Sequence, residues 1–130
     1  MGRLRVTKAA RKNIMPKILS VSYDTALLST RELILQSKGY EVTSVCSLTE
    51  GLKECKSGIR FDLFIIGHSI PNDEKETLIR AFRANWRGPV LAVERSGEAP
   101  VPGADSVIEP NPLLLLDSVA KLLRQERTQC

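Results

Sequence analysis

From Lys17 onward the apolar and polar positions alternate between short strand-like runs and stretches of helical spacing. Lys17–Ser22 reads as a short apolar strand, ended by Tyr23-Asp24. Asp24 is placed to cap a helix whose apolar residues Leu27, Leu28, Leu33, Ile34 and Leu35 recur at helical spacing. Gly39 ends that helix, and Tyr40–Val45 follows as a second strand. Ser47-Leu48-Thr49-Glu50 spells a capping box, opening a helix that runs to about Ser57 and stops at Gly58. Phe61–Ile66 is apolar throughout, the pattern of a central strand covered on both faces. Asp73-Glu74-Lys75-Glu76 spells a second capping box, for a helix through about Asn85 with Leu78, Ile79, Phe82 and Trp86 facing inward.

Gly88-Pro89 turns the chain into a fourth strand, Val90–Val93, and then the alternation falters. Arg95 to Pro102 carries Gly97, Pro100 and Pro102, and no window there supports a helix. Ser106–Ile108 is a brief fifth strand, and Asn111-Pro112 opens a last helix running to about Gln125. Five strands alternating with helices imply an α/β fold with a parallel sheet, right-handed crossovers and helices on both faces. For so short a chain the expected arrangement is flavodoxin-like, with strand order 2-1-3-4-5 and the fourth helix shortened or absent. The expected organisation is a basic tail over 1–16, one domain over 17–125 and a polar tail over 126–130.

In such a sheet ligands sit beyond the carboxyl ends of the strands, where the strand order reverses. Ser22, Tyr23, Gly67, Glu94 and Glu109 ring that point. Five pieces of the chain, in this order and spacing, resemble the receiver domain of bacterial two-component response regulators. They are Lys-Ile-Leu-Ser-Val at 17–21, Lys-Gly-Tyr-Glu-Val at 38–42, Phe-Asp-Leu-Phe-Ile-Ile at 61–66 with Pro71, Pro-Val-Leu-Ala-Val at 89–93 and Gly-Ala-Asp at 103–105.

The resemblance implies a phosphorylated aspartate at the end of the third strand, where this chain has Gly67. It implies an acidic, magnesium-holding pair after the first strand, where Ser22 and Tyr23 stand. It implies a threonine or serine after the fourth strand and a lysine before a proline after the fifth, where Glu94 and Glu109 stand. Phosphoryl transfer to a carboxylate needs a nucleophile, a hard cation on oxygen ligands and a positive group to absorb developing charge. Gly67 cannot attack, Ser22 and Tyr23 are poor magnesium ligands, and Glu109 adds negative charge. The expectation is a degenerate receiver with no aspartyl phosphorylation, no metal and no cofactor. No catalytic constellation is evident, and the expected function is not enzymatic. His68, the single histidine, reads as a loop residue; Asp24 reads as a helix cap, with Glu94 and Glu109 as solvated carboxylates.

Composition adds modest bounds. With 42% hydrophobic and 26% charged residues in 130, the chain suits one globular domain. No apolar run approaches the roughly 20 residues that span a bilayer, and Met1-Gly2-Arg3-Leu4-Arg5 lacks the apolar stretch of a secretory signal, so the expected location is the cytoplasm. Cys46, Cys55 and Cys130 have no metal-binding spacing and read as reduced thiols. The net charge of +4 divides unevenly: Arg3, Arg5, Lys8, Arg11 and Lys12 give residues 1–16 a charge of +5, leaving −1 for the rest. That segment is either a disordered leader or an arm touching phosphates, and Met15 is an alternative start of the chain.

The last helix opens with Leu113-Leu114-Leu115-Leu116. Leu116, Val119, Ala120 and Leu123 form the expected core stripe, widened by Leu115 and Leu122, with Leu113 at its edge and Leu114 exposed. A missing covering helix beside extra leucines leaves apolar surface, covered either by the Pro-rich loop or by a partner. Leu113, Leu114 and Leu115 are the candidate interaction surface, for a second copy or another protein. The alternative is a nucleic-acid-associated protein using the basic tail with Arg80, Arg83 and Arg87, which share a helical face.

Overall fold

The computed structural model describes residues 15–86, 88–95, 97, 101 and 103–128, the last four by their backbone. Five strands, β1 (Lys17–Val21), β2 (Glu41–Val45), β3 (Leu63–Ile66), β4 (Val90–Val93) and β5 (Ser106–Ile108), form one sheet in the order β2-β1-β3-β4-β5. Every pairing is parallel. The helices are α1 (Thr25–Gln36), α2 (Leu48–Cys55), α3 (Asn72–Asn85) and α4 (Pro112–Thr128). This is the flavodoxin-like arrangement that the alternating pattern predicts.

Alternation along the strands sends successive residues to opposite faces. Leu19, Val21, Phe64, Ile66, Val90 and Ala92 point to the α2–α3 side and meet Leu78, Ile79 and Phe82. Ile18, Leu63, Ile65, Leu91 and Val93 point to the other side and meet Leu35 of α1 and Leu115, Val119, Leu122 and Leu123 of α4. β3 and β4 are buried at every position, as their unbroken apolarity requires of strands covered twice.

Local chemistry fixes the element ends. Asp24 accepts from the Leu27 amide at 3.1 Å, and Asn111 accepts from the Leu113 and Leu114 amides at 2.8 and 3.1 Å. Ser47 caps α2 through the Glu50 amide at 3.1 Å, while the Glu50 carboxylate returns to the Cys46 amide at 3.3 Å. Gly39 and Gly58, at φ of 88° and 89°, supply the left-handed residues after α1 and α2.

The structure corrects several expectations. The capping box at Asp73 is not used, because α3 already begins at Asn72, directly after Pro71, with no side-chain cap. Leu33 is 68% exposed: α1 presents Leu28, Arg31 and Leu35 inward, a stripe that excludes it. On α4 the buried residues Leu115, Val119, Leu122 and Leu123 all lie in the expected stripe, while Leu116 and Ala120 are only half-buried. Leu115 therefore belongs to the core, not to an exposed surface. The helix also continues past Gln125 to Thr128.

No helix joins β4 to β5 among the described residues. Instead Val101, 4% exposed, and the half-buried Ala104 pack onto the α2–α3 side of the core. A polar clamp fixes this connection: Asp105 accepts from the Val90 amide at 2.7 Å and from Arg83 at 2.8 Å, while Arg83 also donates to the Gly103 carbonyl at 2.6 Å. Arg83 is thus committed to its own domain, whereas Arg80 is exposed and Arg87 lies outside the described residues. The basic segment up to Ile14 and Cys130 lie outside them as well.

Asp105→Ala leaves the Val90 amide without its acceptor and is expected to destabilise the fold by about 1–3 kcal/mol. Asp117→Ala, which removes only the exposed pair with Lys121, is expected to stay within about 0.5 kcal/mol. Urea denaturation of the two variants checks the difference; equal effects would remove the clamp from this account.

Candidate functional site at the carboxyl ends of the strands

The ends of β1 and β3 bring Ser22 and Gly67 side by side, and the Gly67 amide donates to the Val21 carbonyl at 2.9 Å. Ser22 is 1% exposed. Its hydroxyl lies 3.2 Å from that of Ser69, and both hydroxyls accept from the Asp24 amide at 3.2 Å. Ser69 also accepts from the Tyr23 amide at 2.9 Å. Neutral hydroxyls thus tie the β1–α1 loop to the β3–α3 loop at the point where the resemblance implies an acidic pair.

A buried cation occupies the centre. Arg31 projects from the middle of α1 onto this end of the sheet and is 6% exposed. A Cβ placed on Gly67 would stand 3.0 Å from Arg31 Nη1 and 3.1 Å from both Cβ and Oγ of Ser22. Gly67 is favoured by space and not by conformation: a Cβ would make Arg31 and Ser22 give by a few tenths of an ångström, and its φ lies outside the positive region. Nη1 has no hydrogen-bond partner among the described residues. Burial pulls the guanidinium below its ordinary range, an effect that Asp24 opposes.

Arg31 was not foreseen, although the sequence holds a sign of it. It stands three residues after Leu28 and four before Leu35, in the middle of an apolar stripe where a charged residue needs a reason. Ser69 was missed too, because a loop serine carries no pattern.

The other expected residues are dispersed. Tyr23 is half-buried, and its phenol donates a short hydrogen bond to Glu74 at the start of α3. Burial and the Glu74 carboxylate push that phenol well above its ordinary value. Glu94 is not solvated as expected. It is 4% exposed, because its amide donates to the Ile108 carbonyl at 2.9 Å and holds residue 94 in line with the sheet. Its Oε2 has no partner among the described residues, and no ion pair joins it to Arg31. Glu109 is exposed and His68 half-buried. Among the described residues no group of three His, Cys, Asp or Glu side chains is placed to hold a metal ion, and no helix is long and apolar enough to cross a membrane. The site as built offers a buried positive charge at a glycine.

The contact between Arg31 and residue 67 is testable by coupling. Gly67→Ala is expected to destabilise by about 1–3 kcal/mol through overpacking. Combined with Arg31→Ala, the loss is expected to be smaller than the sum by about 0.5–3 kcal/mol. Denaturation of the double-mutant cycle checks this, and strict additivity would contradict the contact.

The chain matches no protein-family model and no curated protein sequence. Its fold is similar to many solved structures. One is the N-terminal domain of a response regulator/sensory box/GGDEF three-domain protein from Carboxydothermus hydrogenoformans, with TM-score 0.77, 19% identity and coverage of 87% of this chain and 98% of that one. Another is a CheY-like response regulator receiver domain protein from Methanospirillum hungatei, with TM-score 0.73, 25% identity and coverage of 89% and 99%. A third is the signal receiver domain of a LuxO repressor protein from Vibrio parahaemolyticus, with TM-score 0.73, 19% identity and coverage of 88% and 95%. The described part of the chain is a receiver-like domain.

Proposed function

We propose that this chain is a phosphorylation-independent pseudo-receiver, a signalling module that acts by binding protein partners rather than by catalysis. The observation that carries the reading is Arg31 lying against Gly67. A receiver working by aspartyl phosphate needs a carboxylate there, with acidic ligands for a divalent cation beside it. This chain offers a hydrogen atom, a guanidinium and two neutral residues, Ser22 and Tyr23. The scaffold around that end is nevertheless intact, with its loops fastened through Ser69 and its helices capped. A scaffold retained without its reaction is suited to presenting a surface.

The surface we assign is the exposed start of α4. Leu113 is 78% and Leu114 44% exposed, and they adjoin each other on a helix whose opposite stripe is core. Two exposed leucines at a helix start favour an apolar partner, and a second copy of this chain is the simplest one. The coarser reading, a receiver-like domain engaged in signalling through protein contacts, does not depend on whether the partner is a second copy.

Two outcomes are expected. Gly67→Asp is expected to pair with Arg31 and to take up no label from radioactive acetyl phosphate with magnesium, because Ser22 and Tyr23 still supply no carboxylate. Labelling at residue 67 would show that the rest of the site is competent and defeat the reading. Leu113→Glu with Leu114→Glu is expected to weaken self-association in sedimentation equilibrium by at least about tenfold, with folding stability held within about 0.5 kcal/mol. A chain that stays monomeric at high concentration, or associates unchanged in the variant, removes the homodimer.

A further inference from the structure

Arg31 does more than fill the space at Gly67: it also forms one wall of an open cleft of about 110 Å³ between α1 and the start of α4. The rest of the lining is largely apolar, with Leu27 and Ile34 from α1, Val93 and Ile108 from the ends of β4 and β5, and Leu115 from α4. Thr30 and Asn111 add polar groups, but Asn111 Oδ1 is already engaged by the Leu113 and Leu114 amides. The start of α4 therefore has no free amide for a ligand, since Pro112 has none and the Leu115 amide bonds the Asn111 carbonyl. Among the described residues Arg31 is the one cation in the lining.

The geometry points to this cleft as a binding site for a short-chain monocarboxylate, whose carboxylate meets the Arg31 guanidinium while its aliphatic body lies on Ile34, Val93, Ile108 and Leu115. Three observations support that chemistry. Arg31 is more than nine-tenths buried, its side chain borders the cleft, and its guanidinium is always charged. A buried charge left alone is costly, and a planar carboxylate is the acceptor that its fork of donors matches. The size follows from the volume: a cavity of about 150 Å³ takes benzene, so this one suits about three to five carbon atoms.

Charge excludes the obvious competitor. Inorganic phosphate carries between one and two negative charges at neutral pH and has no apolar part. One arginine in an apolar wall neutralises one charge and leaves the remainder desolvated. A neutral amide of the same shape fills the cleft but gives the guanidinium no ionic partner.

The experiment is a titration of the full ¹⁵N-labelled chain followed by heteronuclear NMR, with butyrate, butyramide and inorganic phosphate as separate probes. Butyrate is expected to give saturable shifts with a dissociation constant in the millimolar range, confined to amides of α1, the ends of β4 and β5, and the start of α4. Butyramide and phosphate are expected to bind at least about tenfold more weakly, the size of one lost charge-assisted hydrogen bond. Arg31→Gln is expected to lose butyrate binding by a similar factor. Thr30→Trp, which fills the cleft from its rim and leaves Arg31 in place, is expected to lose it as well and covers the case in which Arg31→Gln does not fold. The proposal is overturned if no saturable shift appears up to tens of millimolar. It is equally overturned if butyramide or phosphate matches butyrate, or if Thr30→Trp binds unchanged.

Discussion

A guanidinium held in the dry interior is the constraint on which this molecule turns. Arg31 leaves α1 in the middle of its buried stripe, and its end reaches the sheet where β1 and β3 finish. The space it needs exists because residue 67 has no side chain, and any Cβ there would crowd both the arginine and Ser22. The glycine and the arginine are two halves of one arrangement. Neutral Ser22, itself bonded to Ser69, completes it, since an added carboxylate or metal ion would change the charge against which Arg31 is set.

The sheet tolerates the change because its stability lies elsewhere. β3 and β4 are sealed on both faces by two separate apolar layers, and those layers meet the ordinary demands of a doubly wound fold. Among the described residues no helix stands between β4 and β5; Val101 supplies apolar cover there, and the Arg83–Asp105 clamp supplies the hydrogen bonds that hold β4 in register. The carboxyl end of the sheet is then free to carry unusual chemistry without weakening the core.

The sequence was most legible where chemistry is local. Strand and helix order, the caps at Asp24, Ser47 and Asn111, and the stops at Gly39 and Gly58 all follow from residues within a turn of one another. It was less legible where neighbours decide. Leu33 keeps the helical period yet faces solvent, and the stripe of α4 runs through Leu115 where the spacing alone also allowed Leu116. Glu94 looked like a surface carboxylate because nothing near it in the chain shows that β5 holds it in the sheet. The candidate site was half-readable: Gly67 at the end of β3 is plain in the sequence, but the side chain that lies against it comes from residue 31, across the fold.

The account stands on the claim that this end of the sheet cannot accept a phosphoryl group. The most direct test is heteronuclear NMR of the unmodified chain titrated with magnesium and beryllofluoride, a stable mimic of an aspartyl phosphate. The account predicts no saturable change at Ser22, Gly67, Ser69 or Glu94. Saturable shifts at these residues, dependent on both magnesium and beryllofluoride, would contradict it.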